Sequence, residues 1–158
     1  MSSYPLEIKR HSLAHVLAAA VTELYPQVRL AIGPAIDNGC YYDFDFGSTK
    51  LTEEALKTIH HKMLDIIASD LSFKSKTDNI DNALAQEKKR GQVYKAELIE
   101  DLKKQGLTEV SYYTLGQFTD LCRGPHVGST ADLRGLGFMV HHLAGAYWRG
   151  DEHNPMLT

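Results

Sequence analysis

Pro26 separates two stretches of chain that cannot share a secondary structure. Before it, KRHSLAHVLAAAVTELYP sets Leu13, Val16, Leu17, Ala20 and Leu24 at the three-, four- and seven-residue spacings of a helix with one buried stripe. After it the period falls to two. Cys40, Tyr42, Phe44 and Phe46 alternate with Tyr41, Asp43 and Asp45, as on a half-buried strand with Tyr42 on its apolar face. Asn38-Gly39 supplies a hairpin signal between the two apolar segments that follow Pro26.

The rest of the chain extends this mixture. LTEEALKTIHHKMLDIIASD predicts a second long helix, capped by Thr52, with Glu53 and Glu54 at its positive end. Leu56, Ile59, Met63, Ile66 and Ile67 form its inward face. LSFKSK predicts a short strand, TDNIDNALAQEKKRG a helix closed by Gly91, and ELIEDLKKQG another closed by Gly106. Tyr94 and Lys95 fall between these last two, on what reads as a short strand. EVSYYTLGQFTDLC and LGFMVHHLAGAYW are strand-rich. The predicted fold is α+β: a largely antiparallel sheet packed against helices, with the long N-terminal helix carrying His11 and His15. The 158 residues fit one domain with a core of its own.

Composition narrows the function classes. A formal charge of -3 gives no general attraction for nucleic acid, so any RNA must be held by a local site or by something outside this chain. Cys40 and Cys122 are too few for a disulfide framework and point to a reduced, cytoplasmic setting. No apolar run approaches the ~18 residues of a membrane span, and MSSYPLEIKRHS lacks the apolar stretch of a secretory leader.

Two paired spacings carry the chemistry. On a helix, His11 and His15 lie one above the other, about 40° apart around the axis. DLCRGPH repeats the four-residue spacing with Cys122 and His126. Pro125 bars a helix there and places both at a strand-to-loop transition, and Asp120 shares the strand face of Cys122. His11, His15, Cys122 and His126 are together a possible zinc ligand set, three ligands plus water being the catalytic form. A metal-free pocket and a buried cysteine among satisfied histidines stand beside that reading. His60 and His61 read as a solvated or semi-buried helical pair, His141 and His142 as opposite faces of a strand, and EKKRG as a solvated helix end.

HSLAH, AIGPAIDNGCYYDFDF, YK, DLCRGPH and AGAYWRGDEHNPML occur in the order and approximate spacing of bacterial-type threonyl-tRNA synthetases. From about Arg10 to Thr158 the chain resembles the editing domain of that family, its second N-terminal domain. The His and Cys–His pairs are shared with alanyl-tRNA synthetase editing domains. The resemblance implies a single editing domain over residues 1–158, with about 149–158 beginning the connection toward a catalytic domain. It implies hydrolysis of the seryl ester on threonine tRNA, since one missing methyl is worth only ~1–3 kcal/mol in a threonine-binding site. It assigns His11 and Lys95 to water activation, proton shuttling or oxyanion binding, and Asp120 to holding the substrate ammonium or orienting a neighbour. His15, Tyr42, Cys122 and His126 would shape the pocket. No cofactor is expected for editing, with zinc the alternative, as in the alanyl relatives. The expected partners are the acceptor end of threonine tRNA carrying serine and the catalytic and anticodon-binding domains of a full-length synthetase. Zinc-dependent editing of alanine tRNA mischarged with serine or glycine, a non-catalytic acceptor-end binding module and a structural zinc domain are the competing readings.

Overall fold

The computed structural model describes residues 4–141 and 143–158. Along the chain run α1 (Leu6–Leu24), the strand pieces β1 (Arg29–Leu30), β2 (Ala35–Ile36), β3 (Gly39–Cys40) and β4 (Phe44–Asp45), then α2 (Glu53–Ala68). β5 (Phe73–Asn79), α3 (Ile80–Lys89), α4 (Val93–Lys104), β6 (Glu109–Leu115) and β7 (Phe118–Leu121) follow. A 3-10 turn at Thr130–Leu133 and the pair β8 (Ala146–Tyr147) and β9 (Met156–Leu157) complete the fold. The strand pairings are antiparallel, and the expected α+β architecture is present.

α1 is the central element. Its burial exceeds the predicted stripe: from Ser12 to Val21 every residue but Leu17 is buried, because α1 packs on α2 and also on β2, β3 and β7. Alanines at 14, 18, 19 and 20 let these neighbours approach closely. α2 follows the sequence reading. Ala55 N–H donates to the Thr52 hydroxyl, and the five predicted apolar residues are buried.

The first hairpin turns at Asp37 and Asn38, with Ile36 paired to Gly39, one residue earlier than an Asn-Gly turn. The predicted continuous strand of residues 40–46 is interrupted. Leu30 pairs with Phe44, but Ala35 pairs with Cys40, a register slip of one residue. The slip is absorbed where Ala31 N–H donates to the Asp43 carbonyl and Asp43 N–H donates to the Ile32 carbonyl. Two residues there face one, which is a β-bulge. Gly33 follows it, and the Tyr42 ring lies directly on that glycine. A Cβ at position 33 would sit 2.2 Å from the ring.

β5, β6 and β7 form one three-stranded sheet, joined at the β6–β7 hairpin through Gly116. β5 runs to Asn79, three residues past the predicted strand. The Asn79 side chain accepts from Asp81 and Asn82 N–H and so starts α3. α4 begins at Val93, four residues before the predicted helix. Lys95 therefore stands in a first helical turn and not on a strand. Gln92 caps no helical N–H because its amide is spent elsewhere: Leu30 N–H donates to its Oε1 at 2.8 Å, and its Nε2 donates to the Val28 carbonyl at 3.2 Å. These bonds fasten the start of α4 to β1. The EKKRG end is only partly solvated. Glu87 is buried, accepts from the Tyr112 hydroxyl at 3.1 Å and lies 3.7 Å from Arg90, and burial pushes its carboxyl up.

Among the described residues, LGFMVHHLAGAYW contains strand only at Ala146–Tyr147. Leu136, Phe138 and Val140 pack on the core while Gly137, Met139 and His141 are exposed, so the alternation is real. No strand pairs with residues 136–141 among the described residues, and His142 lies outside them. His60 packs its ring 4.9 Å from Phe138, and His61 is exposed. Residues 146–158 fold back onto the domain. Trp148 and Leu157 are buried with Ala31 and Tyr94, and Phe44 and Thr158 exchange two backbone hydrogen bonds. Among the described residues, no helix is long and apolar enough to cross a membrane.

Candidate active site

Four parts of the fold meet around one cleft of about 410 Å³: α1, the bulged hairpin, the first turn of α4, and β7 with the loop after it. His11, His15, Tyr42, Lys95, Asp120, Cys122 and His126 all line it. Alternation along β7 sends Asp120 and Cys122 to the same side, and Cys122 N–H still bonds to the Ser111 carbonyl in ladder fashion. Gly124, with φ +72°, and a cis Gly124-Pro125 bond then turn the chain toward α1. Only glycine serves at 124, because a Cβ would meet the Tyr113 hydroxyl at 2.4 Å.

Asp120 is the anchor of one wall. Its Oδ1 lies 3.1 Å from Lys95 Nζ, and its Oδ2 accepts from the Tyr42 hydroxyl at 2.6 Å. Both charged side chains are only 5% exposed. A buried pair of this kind persists when its charges are paired and its lone pairs bonded, and both carboxylate oxygens here are engaged. Burial, and then the adjacent carboxylate, push the Tyr42 phenol well up, so it remains a donor. The Lys95 ammonium also sits 5.4 Å from the centre of the Tyr42 ring.

The opposite wall is histidine and thiol. Cys122 Sγ lies 3.5 Å from His11 Nε2 and 3.3 Å from His126 Nε2, and it accepts from Gly124 N–H at 3.3 Å. The His11 and His126 rings stack at 4.5 Å. His11 Nδ1 faces the Pro125 carbonyl at 3.4 Å. A carbonyl can only accept, so this contact assigns the His11 proton to Nδ1 and leaves Nε2 unprotonated, facing the Cys122 sulfur. His126 Nδ1 lies 3.1 Å from the Ser12 hydroxyl. His15 is buried edge-on against Phe73 and Phe118, and its Nε2 has no hydrogen-bond partner among the described residues. Burial pulls His15 from its ordinary 6.5 down to about 4, with Asp120 opposing the shift. Burial, then the His15 and His11 charges, pull His126 to about 2. Burial pushes the Cys122 thiol up. His15, His126 and Cys122 are therefore neutral near pH 7.

The four-residue ligand set contracts to three. The donor atoms of His11, Cys122 and His126 lie within 4.8 Å of one another, whereas His15 stands outside the group. The three that remain fit a metal chemically: a thiol and two imidazoles, each imidazole held through Nδ1 by a protein partner, as in zinc-binding histidines. Ser12, Gly33 and Gln92 are the residues that sequence reasoning passed over. Ser12 alone left a signal, as a hydroxyl inside HSLAH on an otherwise apolar helix face.

Residues 110–158 match the family described as Threonyl and Alanyl tRNA synthetase second additional domain. Nearly the whole chain is similar to larger proteins. It is 48% identical over 153 residues to the threonine–tRNA ligase of Francisella philomiragia, covering 97% of this chain and 23% of that protein. It is 49% identical over 152 residues to that of Janthinobacterium sp., covering 96% and 23%. It is 46% identical over 148 residues to that of Clostridium novyi, covering 94% and 22%. The chain thus spans less than a quarter of the length of these curated relatives.

Proposed function

Because this chain is a homologue of one segment of the threonine–tRNA ligases, we propose that it hydrolyses the ester of serine wrongly attached to threonine tRNA. The observation that carries the reading is the cleft itself. It sets a half-exposed imidazole, with its Nε2 unprotonated, in the same cavity as a buried, oriented lysine.

His11 is the general base in this reading, because His15 and His126 are too buried to take up a proton near neutrality. A water gives its proton to His11 Nε2 as its oxygen bonds to the seryl carbonyl carbon. The charge that develops on the carbonyl oxygen meets the Lys95 ammonium. The bond to the ribose oxygen then breaks, and His11 returns the proton to that leaving oxygen. Serine and tRNA result. Asp120, tied to both Lys95 and Tyr42, orients the lysine. Tyr42 is pinned between Gly33 and Asp120, a stiff wall that can discriminate against one extra methyl. With a charge of -3 the chain contributes little phosphate affinity, so the rest of a synthetase would anchor the tRNA. Such a substrate places the reaction in the cytoplasm.

The test is deacylation of seryl-tRNA by the chain. His11→Ala and Lys95→Ala are expected to slow it by roughly 10²–10⁴-fold. Faster hydrolysis on alanine tRNA than on threonine tRNA would overturn the substrate assignment. Weaker binding with an unchanged rate in both variants would make the chain a binding module.

A second reading rests on the triad of donors. Zinc held by His11, Cys122 and His126 would act as a Lewis acid and acidify water. It would also occupy the His11 Nε2 that the first reading needs free. Metal analysis of protein purified without added zinc separates the two. A stoichiometric ion whose removal abolishes deacylation favours zinc catalysis, and one whose removal unfolds the chain favours a structural ion.

A further inference from the structure

We propose that Ser12 is a positioning residue: it fixes the His126 proton on Nδ1, and through that keeps His11 Nε2 open to water. The functional consequence rests on the hydrolytic reading above, whereas the proton's location does not.

Ser12 is fully buried on α1 between the two helical histidines. Its hydroxyl makes three close contacts. It lies 2.8 Å from the Ile8 carbonyl, 3.0 Å from Val127 N–H and 3.1 Å from His126 Nδ1. A hydroxyl has one proton and two lone pairs. The Ile8 carbonyl can only accept, so the Ser12 proton goes there. Val127 N–H can only donate, so it fills one lone pair. The remaining lone pair faces His126 Nδ1, and that nitrogen must therefore carry a proton. A serine that merely bonds back to the preceding turn is common in helices. The two additional donors, both from the loop after Cys122, are what make this one specific.

A neutral imidazole with its proton on Nδ1 has a bare Nε2. His126 Nε2 lies 3.3 Å from Cys122 Sγ and can take the thiol proton. His11 Nε2, at 3.5 Å from the same sulfur, is then left for water. If His126 instead carried its proton on Nε2, it would donate to Sγ. The thiol proton would turn toward His11 and occupy the base. Ser12 acts on the rate through two intervening side chains and touches no substrate.

The measurement is the nitrogen-15 histidine spectrum of the 158-residue chain, with the His126 signals assigned by comparison with His126→Gln. The wild-type protein is expected to show His126 protonated on Nδ1 and bare on Nε2. Ser12→Ala is expected to shift it toward the Nε2-protonated form and to lower kcat for seryl-tRNA hydrolysis about tenfold to a hundredfold, the range found for residues that orient metal-ligating histidines, with KM little changed. Ser12→Thr retains the hydroxyl and is expected to restore both. A wild-type His126 protonated on Nε2 overturns the proposal without recourse to any variant. So does a Ser12→Ala protein that keeps the Nδ1 proton, or one that loses it with kcat unchanged. If the wild-type chain hydrolyses no aminoacyl-tRNA, the functional reading fails, and the spectrum still decides where the proton sits.

Discussion

Removing either member of the Lys95–Asp120 pair should destabilise the fold more than removing both. Each side chain is 5% exposed, the ions are 3.1 Å apart, and Asp120 also holds the Tyr42 hydroxyl at 2.6 Å. Asp120→Leu would strand a buried ammonium and orphan the phenol. Lys95→Met would strand a buried carboxylate with the phenol as its remaining partner. Breaking a buried pair in this way costs about 3–5 kcal/mol, against a total stability of about 5–15 kcal/mol for a typical domain. At about 2–4 °C per kcal/mol for a chain of this size, each single variant should melt roughly 10 °C below wild type. Lys95→Met with Asp120→Leu removes both charges and leaves the Tyr42 phenol unpaired, at about 1–3 kcal/mol. The double variant should therefore be more stable than either single one, although all three are expected to be inactive. Urea unfolding followed by far-UV circular dichroism gives the three free energies. Single losses under about 1 kcal/mol, the size seen for exposed pairs, would show that water reaches these charges and that the burial argument is wrong.

Three other expectations can be checked on the same protein. Gly33→Ala should cost about 1–3 kcal/mol and reduce hydrolysis, because its Cβ displaces the Tyr42 ring; wild-type stability and rate would mean that the hairpin yields instead. His15 binds its proton near 4 when folded and near 6.5 when unfolded, so in that window the unfolded chain holds more protons and stability falls as pH falls. Between pH 7 and 5 the loss from this one group is about 2 kcal/mol, and His15→Leu should remove that part of the slope in pH-dependent urea melts. Gln92→Ala leaves Leu30 N–H without its partner and loosens the start of α4. It should lower stability by about 1–3 kcal/mol and slow hydrolysis without touching the cleft, an effect absent if Lys95 is held by its ion pair alone.

The residue types of the cleft were legible because they are rare and regularly spaced: His11 with His15, Cys122 with His126, and Asp120 two before the cysteine on a strand. The helices with ordinary caps, α2 and α3, were legible for the same local reason, with Thr52 and Asn79 at their starts. Lys95 was misplaced because nothing at Gln92 announces a helix. That side chain bonds to β1 more than sixty residues away, information that no local window contains. The stretch from Leu136 to His141 shows the converse failure. Alternation reports which side chains face the core, but a strand also needs a partner, and periodicity cannot supply one. Ser12 escaped notice because its meaning lies in Val127 and His126, over a hundred positions on, while locally it is one small polar residue in a helix.

The bulge at Ala31 and Ile32 bears on how this domain can change length. Substitutions along the hairpin are graded by volume, but an insertion or deletion is not. Removing one residue between Ala31 and Pro34 would cancel the offset between the Leu30–Phe44 and Ala35–Cys40 pairings and carry Gly33 away from beneath Tyr42. Adding one would double the offset. A turn such as Gly47-Ser48, away from the cleft, faces no such constraint. The four residues after Leu30 therefore behave like a reading frame, and sequences that share this cleft should hold the count fixed there and keep glycine at the position beneath Tyr42 while the other three vary.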